Sequence, residues 1–215
     1  ITGNTIANIS ATNNAHGIYL NTQANYNAIT GNTISHISAT TSYAHGIYLY
    51  NTYSNTLTGN IISDISAINY ANGIYLYNYS TYNTLTGNTI SNISAINYAN
   101  GIYLYYWSYN NAITGNDISD VSGSDANGIY LYYYSNNNTV TGNDISDILG
   151  SNTSGIYLYS WSSNNTLMDN TITGSMRGVS LESTYGILIW RNTIYGNAIG
   201  IRISQSSFTN QILGN

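Results

Sequence analysis

The feature that most constrains this chain is a repeat of about 28 residues that runs through its whole length. An Asn marks each copy: it follows Thr-Gly in the first six and persists in three later copies where the neighbouring residues change. These nine positions are Asn4, Asn32, Asn60, Asn88, Asn116, Asn143, Asn170, Asn192 and Asn215. A period of this length is typical of solenoids, in which each repeat forms one coil and packs only against its neighbours.

A second motif, Gly-Ile-Tyr-Leu, divides each repeat. It begins at Gly17, Gly46, Gly73, Gly101, Gly128 and Gly155. The segment from this Gly to the next Asn keeps its length, whereas the segment from the Asn to the Gly is about five residues shorter in the last two coils. We therefore predict one domain, residues 1–215, with a long-coil region and a side ledge over 1–169 and a short-coil region over 170–215.

Apolar and polar residues alternate in short runs within each repeat. After Gly73, the side chains of Ile74 and Leu76 point to one side of the run, and those of Tyr75 and Tyr77 point to the other. Such runs, separated by Gly, Asn and Ser, favour an all-β solenoid that buries one layer of Ile and Leu in each coil. A leucine-rich repeat shares the period, but its helical or extended convex segment is not visible in the sequence.

The repeated Asn has a structural explanation. Asn adopts left-handed backbone conformations at tight turns. Copies that stack at the strand spacing of about 4.8 Å can exchange amide hydrogen bonds. We therefore predict that the nine Asn side chains form an internal ladder rather than a ligand site.

The combined pattern of Asn-Thr-Ile-Ser, Gly-Ile-Tyr-Leu and Asn-Thr-Leu-Thr-Gly-Asn-Thr-Ile resembles the right-handed parallel β-helix repeat of the pectate-lyase-like superfamily. It is similar in particular to repeats of carbohydrate-binding and sugar-hydrolase surface proteins and of the periplasmic copper-maturation family. The resemblance covers essentially the whole chain and implies a right-handed, single-stranded parallel β-helix of about eight coils of 22–28 residues. It implies little about function, because the superfamily includes lyases, hydrolases, adhesins and tailspikes.

Charge is scarce and excludes several functions. The chain has three Arg, no Lys and eight Asp or Glu, with a net charge of −5. No basic patch can neutralise a phosphate backbone, so nucleic acid is excluded as a partner. No apolar run approaches the roughly 20 residues of a membrane-spanning helix. The lack of Cys excludes disulfides and thiol chemistry.

Four aspartates are the best candidates for site chemistry: Asp117, Asp120, Asp144 and Asp147. They fall into two pairs at equivalent repeat positions, so the members of a pair would lie about 4.8 Å apart on neighbouring strands. Like charges at this distance repel, and Ca²⁺, which prefers oxygen ligands, would relieve the repulsion. The same residues are also explained as solvent-facing turn residues or as catalytic acids. We predict no cofactor, unless these aspartates bind Ca²⁺.

The outward positions of the Gly-Ile-Tyr-Leu strands carry aromatic columns. We predict a broad exposed face that contains Tyr48, Tyr50, Tyr75, Tyr77, Tyr103, Tyr105, Trp107, Tyr130, Tyr132, Tyr157, Tyr159 and Trp161. An exposed patch of this size indicates a protein interface or a glycan site on which sugar rings stack. Mutual stacking of the tyrosines, with no ligand, is the third explanation.

The sequence thus predicts a non-catalytic, extracellular β-helix module with a structural or adhesive role in a cell-surface or filament-forming protein. Its expected partners are glycans or other copies of the chain, joined laterally or end to end. Both termini lie within a repeat, so we expect a segment of a longer β-helix or stacked subunits. The alternative is a polysaccharide-binding or polysaccharide-active protein whose catalytic acids are the four aspartates.

Overall fold

The alternation of apolar and polar residues produces three short strands in each turn of the chain. The computed structural model, which describes all 215 residues, contains strands and turns but no helix. The strands stack into three parallel sheets and wind through about eight right-handed coils. The predicted all-β, right-handed parallel β-helix is confirmed. No segment forms a helix long and apolar enough to cross a membrane.

Each sheet takes one strand from nearly every coil. The first sheet contains β1 (Thr5–Ala11), β4 (Thr33–Ala39), β7 (Ile61–Ala67), β10 (Thr89–Ala95), β13 (Asp117–Ser122), β16 (Asp144–Ile145), β17 (Ile148–Leu149), β20 (Thr171–Ile172) and β23 (Thr193–Ile194). The second contains β2 (Asn14–Asn21), β5 (Tyr43–Tyr50), β8 (Tyr70–Tyr77), β11 (Tyr98–Tyr105), β14 (Asp125–Tyr132), β18 (Asn152–Tyr159), β21 (Arg177–Glu182) and β24 (Ile199–Ser204). The third contains β3 (Ala28–Thr30), β6 (Thr56–Thr58), β9 (Thr84–Thr86), β12 (Ala112–Thr114), β15 (Thr139–Thr141), β19 (Thr166–Met168), β22 (Leu188–Trp190) and β25 (Gln211–Leu213).

The core is a stack of aliphatic side chains with one layer per coil. Ile90 is in register with Ile62 in the preceding coil and with Ile118 in the next, and all three are fully buried. Each coil covers the apolar layer of its neighbour, so hydrophobic burial accumulates along the helix axis.

The predicted ladder of nine Asn side chains is confirmed. Each side chain donates an amide hydrogen bond to the side-chain oxygen of the next Asn, over 2.8–3.0 Å in all eight steps. The Gly before the Asn has a positive φ in the first six coils, for example +62° at Gly87, which directs the following side chain into the coil.

A second ladder occupies the turn before the third sheet and was not predicted. Its members are Asn27, Asn55, Asn83, Asn111, Asn138 and Asn165. The four amide-to-amide bonds from Asn27 to Asn138 measure 3.1–3.2 Å, and the last step runs from the backbone N–H of Asn138 to Asn165. Two corners of every long coil are therefore closed by Asn.

The residues predicted to form a side ledge lengthen the strands of the first and second sheets. In a long coil, β7 and β8 are seven and eight residues long and are joined by a two-residue turn. Ile65, in the outer half of β7, is fully buried in the core. In the seventh coil, β20 keeps only two residues, so the outer part of both sheets is absent there.

Candidate functional site

The second sheet is bent where the Gly-Ile-Tyr-Leu motif begins. Gly73 and Ile74 both face the interior, whereas Asn72 and Tyr75 on either side of them face outward. A Cβ on Gly73 would lie 2.4 Å from Cγ2 of Ile90, so only glycine fits this position. Two successive inward residues break the strand alternation and make the outer face of the sheet concave.

The concave face is a groove parallel to the helix axis, with two walls and a floor. One wall contains Tyr43, Tyr70, Tyr98 and Asp125. The floor contains His45, Asn72, Asn100 and Asn127 and, beside them, Tyr48, Tyr75, Tyr103, Tyr130 and Tyr157. The other wall contains Tyr50, Tyr77, Tyr105, Tyr132 and Tyr159. Two cavities of about 530 and 340 Å³ lie along the groove and share Tyr70 and Tyr103.

The floor tyrosines stack on one another along the axis. Successive rings from Tyr19 to Tyr157 have centroids 4.8–5.1 Å apart and interplanar angles of 3–15°. Each ring face is therefore covered by the next tyrosine, and only ring edges and hydroxyls are directed to the groove. Tyr103 is only 6% exposed, so the ring faces of this column are covered by mutual stacking, the third of the explanations given for the aromatic face. Binding of a protein or a glycan by this face stays a prediction.

The floor hydroxyls are available to a ligand. Tyr157 donates its hydroxyl to Oε2 of Glu182 over 3.0 Å. The hydroxyls of Tyr75, Tyr103 and Tyr130 bond to no protein atom, yet none is sealed from solvent. Burial raises the pKa of all three residues well above the usual value for tyrosine, so they remain neutral hydroxyl groups.

A chain of side-chain amides runs along the floor beside these tyrosines. Asn127 donates to Asn100 over 3.0 Å, Asn100 donates to Asn72 over 2.8 Å, and the Asn72 amide lies 3.1 Å from Nδ1 of His45. Burial, reinforced by the neighbouring His16, lowers the pKa of His45 to about 3. His45 is therefore neutral at ordinary pH and accepts the last bond of this chain.

Charged residues gather at the C-terminal end of the groove. Glu182 accepts the Tyr157 hydroxyl and lies 3.6 Å from Nη1 of Arg202. Arg177 donates to Oδ1 of Asn152 over 2.6 Å. Sequence reasoning missed this cluster, although its signal was present: the tyrosine columns are interrupted in the last two coils, where Glu182 and Arg202 replace tyrosine.

The four aspartates lie elsewhere. Asp117 on β13 pairs in register with Asp144 on β16 in the first sheet, and both are exposed. Asp120 and Asp147 have left-handed backbones, with φ of 53° and 54°. None of the four lines the groove, and no three His, Cys, Asp or Glu side chains come together as a metal site. The acids that reach the groove are Asp125 and Glu182.

Calcium binding by the aspartates stays a prediction. If Ca²⁺ joins Asp117 to Asp144, millimolar Ca²⁺ raises the melting temperature of the chain, because a ligand that binds only the folded state stabilises it. The Asp144→Asn variant should lose this increase, and Mg²⁺ serves as the ionic control. An identical melting temperature with and without Ca²⁺ contradicts the prediction.

The two tryptophans assigned to the aromatic face lie outside the groove. Trp107 and Trp161 occupy the turn after the second sheet, with φ of 62° and 65°. Trp107 stacks between Tyr79 and Tyr134, with centroid distances of 6.2 and 4.5 Å. Tyr79, Trp107 and Tyr134 form a separate outer stack, whereas Trp161 meets the ring of Tyr185 edge-on at 6.5 Å. Tyr79 and Trp161 are nearly half exposed.

Comparison with solved structures identifies relatives of the fold. The periplasmic alginate epimerase AlgG is 18% identical with a TM-score of 0.73, and the match covers 92% of this chain and 46% of AlgG. The A-module of the Azotobacter vinelandii mannuronan C-5 epimerase AlgE6 is 16% identical with a TM-score of 0.65, covering 93% of this chain and 57% of the module. The Streptococcus pneumoniae surface protein and adhesin PfbA is 13% identical with a TM-score of 0.54, covering 99% of this chain and 67% of PfbA. The chain spans about half the length of the two epimerases, and at these identities the likeness concerns the fold alone.

Sequence profiles of known families match both halves of the chain. Residues 1–118 match the right handed beta helix region, and residues 94–215 match the periplasmic copper-binding protein NosD. Each match covers more than half of the 215 residues. No protein of curated function matches the chain in sequence. The resemblance seen in the repeat is confirmed, and the chain belongs to the right-handed β-helix family, with a second half that matches NosD.

Proposed function

We propose that this β-helix binds an extended carbohydrate chain along the tyrosine groove. One observation carries the proposal: the hydroxyls of Tyr75, Tyr103 and Tyr130 lie in an axial groove without a protein partner. A phenol hydroxyl that reaches solvent and has no protein partner can both donate a hydrogen bond to a ligand and accept one from it. A polymer rich in hydroxyl groups would provide partners for all three.

The spacing of the groove favours a linear polymer over a small molecule. The same hydroxyl recurs once per coil, at ring spacings of 4.9–5.1 Å from Tyr48 to Tyr157. A ligand that also repeats along one direction meets equivalent partners in each coil, and its contacts add up through effective concentration. A single sugar would use only a small part of this surface.

The relatives are consistent with this proposal. Two are described as epimerases of alginate or mannuronan, and the third as a surface protein and adhesin. A groove for carbohydrate chains agrees with an extracellular or periplasmic location, which we include in the proposal. That the chain itself is not an enzyme stays a prediction.

Removing the hydroxyls while keeping the rings tests the groove directly. The variant with Tyr75→Phe, Tyr103→Phe and Tyr130→Phe retains the stack. A neutral hydrogen bond contributes about 1 kcal/mol, so the loss of three should weaken binding about 100-fold. The measurement is isothermal titration against a panel of linear hexasaccharides that includes both neutral and acidic chains.

The matched control is Tyr82→Phe, which removes a hydroxyl from an exposed tyrosine outside the groove. This variant should bind as the unmodified chain does. If no hexasaccharide binds the unmodified chain, or if the triple variant binds with unchanged affinity, the groove is not the carbohydrate site.

An adhesive or structural role is the second candidate. The outer stack and the nearby Trp161 support it, because Tyr79 and Trp161 are 47% and 45% exposed and aromatic side chains are enriched at protein interfaces. Association of the chain with further copies, laterally or end to end, stays a prediction. The two roles are compatible, because the outer stack and the groove are separate surfaces.

A further inference from the structure

We infer that the carbohydrate chain held in the first five coils of the groove is a neutral polysaccharide. The inference rests on the proposed carbohydrate function and names the substrate class of that same site. It follows from the electrostatics of the groove, which differ sharply between its two ends.

The larger cavity, at the N-terminal end, contains no charged side chain. Its lining is Tyr and Asn together with His16 and His45, and no Asp, Glu, Lys or Arg reaches it. Burial lowers the pKa of both histidines, so these are neutral at ordinary pH. Burial also raises the pKa of Tyr48 and Tyr75, so no phenolate forms there. The polar groups of this cavity are neutral hydrogen-bond donors and acceptors.

An acidic polysaccharide would be penalised in this cavity. It would place carboxylates or sulfates beside buried phenols and amides with no cation to pair with them, and an unpaired charge is costly to take out of water. The chain as a whole carries a net charge of −5, which adds a weak long-range repulsion. Neutral sugar hydroxyls carry no such penalty, because each both donates to and accepts from a phenol or an amide.

The arginines provide no net positive charge for an acidic polysaccharide. Arg177 and Arg202 lie at the C-terminal end of the groove, among the lining of the smaller cavity. Arg202 faces Glu182 at 3.6 Å, and Arg177 already donates to Asn152. Asp125 lines the same cavity, so its two cations are matched by two carboxylates. Neither end of the groove therefore presents a surplus of positive charge.

Titration with two matched sets of hexasaccharides tests the inference. The neutral set is cellohexaose, mannohexaose and xylohexaose, and the acidic set is hexagalacturonate and hexamannuronate. We expect at least one neutral hexasaccharide to bind at least about tenfold more tightly than either acidic one. We also expect this affinity to stay unchanged up to about 0.5 M sodium chloride, because no ion pair contributes to it.

Each outcome has a separate meaning. Acidic hexasaccharides that bind as tightly as the neutral ones, or more tightly, overturn the inference but leave the carbohydrate groove in place. Affinity for a neutral hexasaccharide that falls steeply with salt overturns it as well. Failure of both sets to bind contradicts the proposed function itself. Where a hexasaccharide does bind, the variant with Tyr75→Phe, Tyr103→Phe and Tyr130→Phe shows whether the groove binds it, because this variant should then lose the affinity.

Discussion

Replacing Asn116 by alanine should lower the free energy of unfolding by about 3–5 kcal/mol. The Asn116 amide donates to Oδ1 of Asn143 and to the carbonyl of Leu85, over 2.9 and 3.0 Å. Its oxygen accepts from the backbone and side-chain N–H groups of Asn88, over 3.0 and 2.9 Å. Asn116 is 1% exposed, so water cannot replace these partners. Each buried group left unpaired costs about 1–3 kcal/mol.

The measurement is urea denaturation followed by circular dichroism. Asn4→Ala is the matched control, because Asn4 belongs to the same ladder but is exposed and receives no bond from a preceding Asn. Its effect should stay below about 1 kcal/mol. Equal effects of the two substitutions would mean that the ladder does not stabilise the coils through buried hydrogen bonds.

Acidification should destabilise the fold through His45. The pKa of this residue is about 3 in the folded chain and 6.5 when unperturbed, so the unfolded state takes up a proton that the folded state refuses. Above pH 6.5 His45 is neutral in both states and does not lower the free energy of unfolding. As the pH falls from 6.5 towards 3, the unfolded state binds the proton and the free energy of unfolding decreases. Each pH unit costs about 1.4 kcal/mol, which amounts to about 3 kcal/mol between pH 6.5 and about pH 4.

His45→Asn isolates this effect, because later coils carry Asn72, Asn100 and Asn127 at the same position. An amide oxygen there can accept the bond from Asn72 without titrating. The side chains that contact the His45 ring are the same in parent and variant. They are His16, which stacks on it at 5.0 Å, and Tyr48 and Tyr75. We expect the stability difference between variant and parent to grow in favour of the variant as the pH falls. Parallel stability curves would contradict the depressed pKa.

The coil register was predictable because it is a one-dimensional property of the sequence. A residue type that recurs every 28 positions occupies the same place in successive coils. Ile62 therefore packs against Ile90, and the Asn side chains of the Thr-Gly-Asn motifs form a ladder. The second ladder has the same period but was missed. Asn55 and Asn83 lie in a Tyr- and Ser-rich segment that reads as a solvent-facing turn, and only the three-dimensional path shows that they are buried.

The groove could not be read from the periodicity. It depends on Gly73 and Ile74 both facing inward, which simple alternation does not predict, and on Ile90 filling the space that a Cβ would need. The charged end was missed for a related reason. Glu182 and Arg202 come from the two coils in which the repeat degenerates, so each looked like the end of a column rather than part of a site.

A crystal structure of the chain with a neutral hexasaccharide would show whether the groove binds carbohydrate. We expect a sugar chain that lies along the axis of the groove, with its hydroxyls within hydrogen-bond distance of the hydroxyls of Tyr75, Tyr103 and Tyr130. A sugar chain bound instead over the outer stack at Trp107, or beside Asp117 and Asp144 on the first sheet, would contradict it.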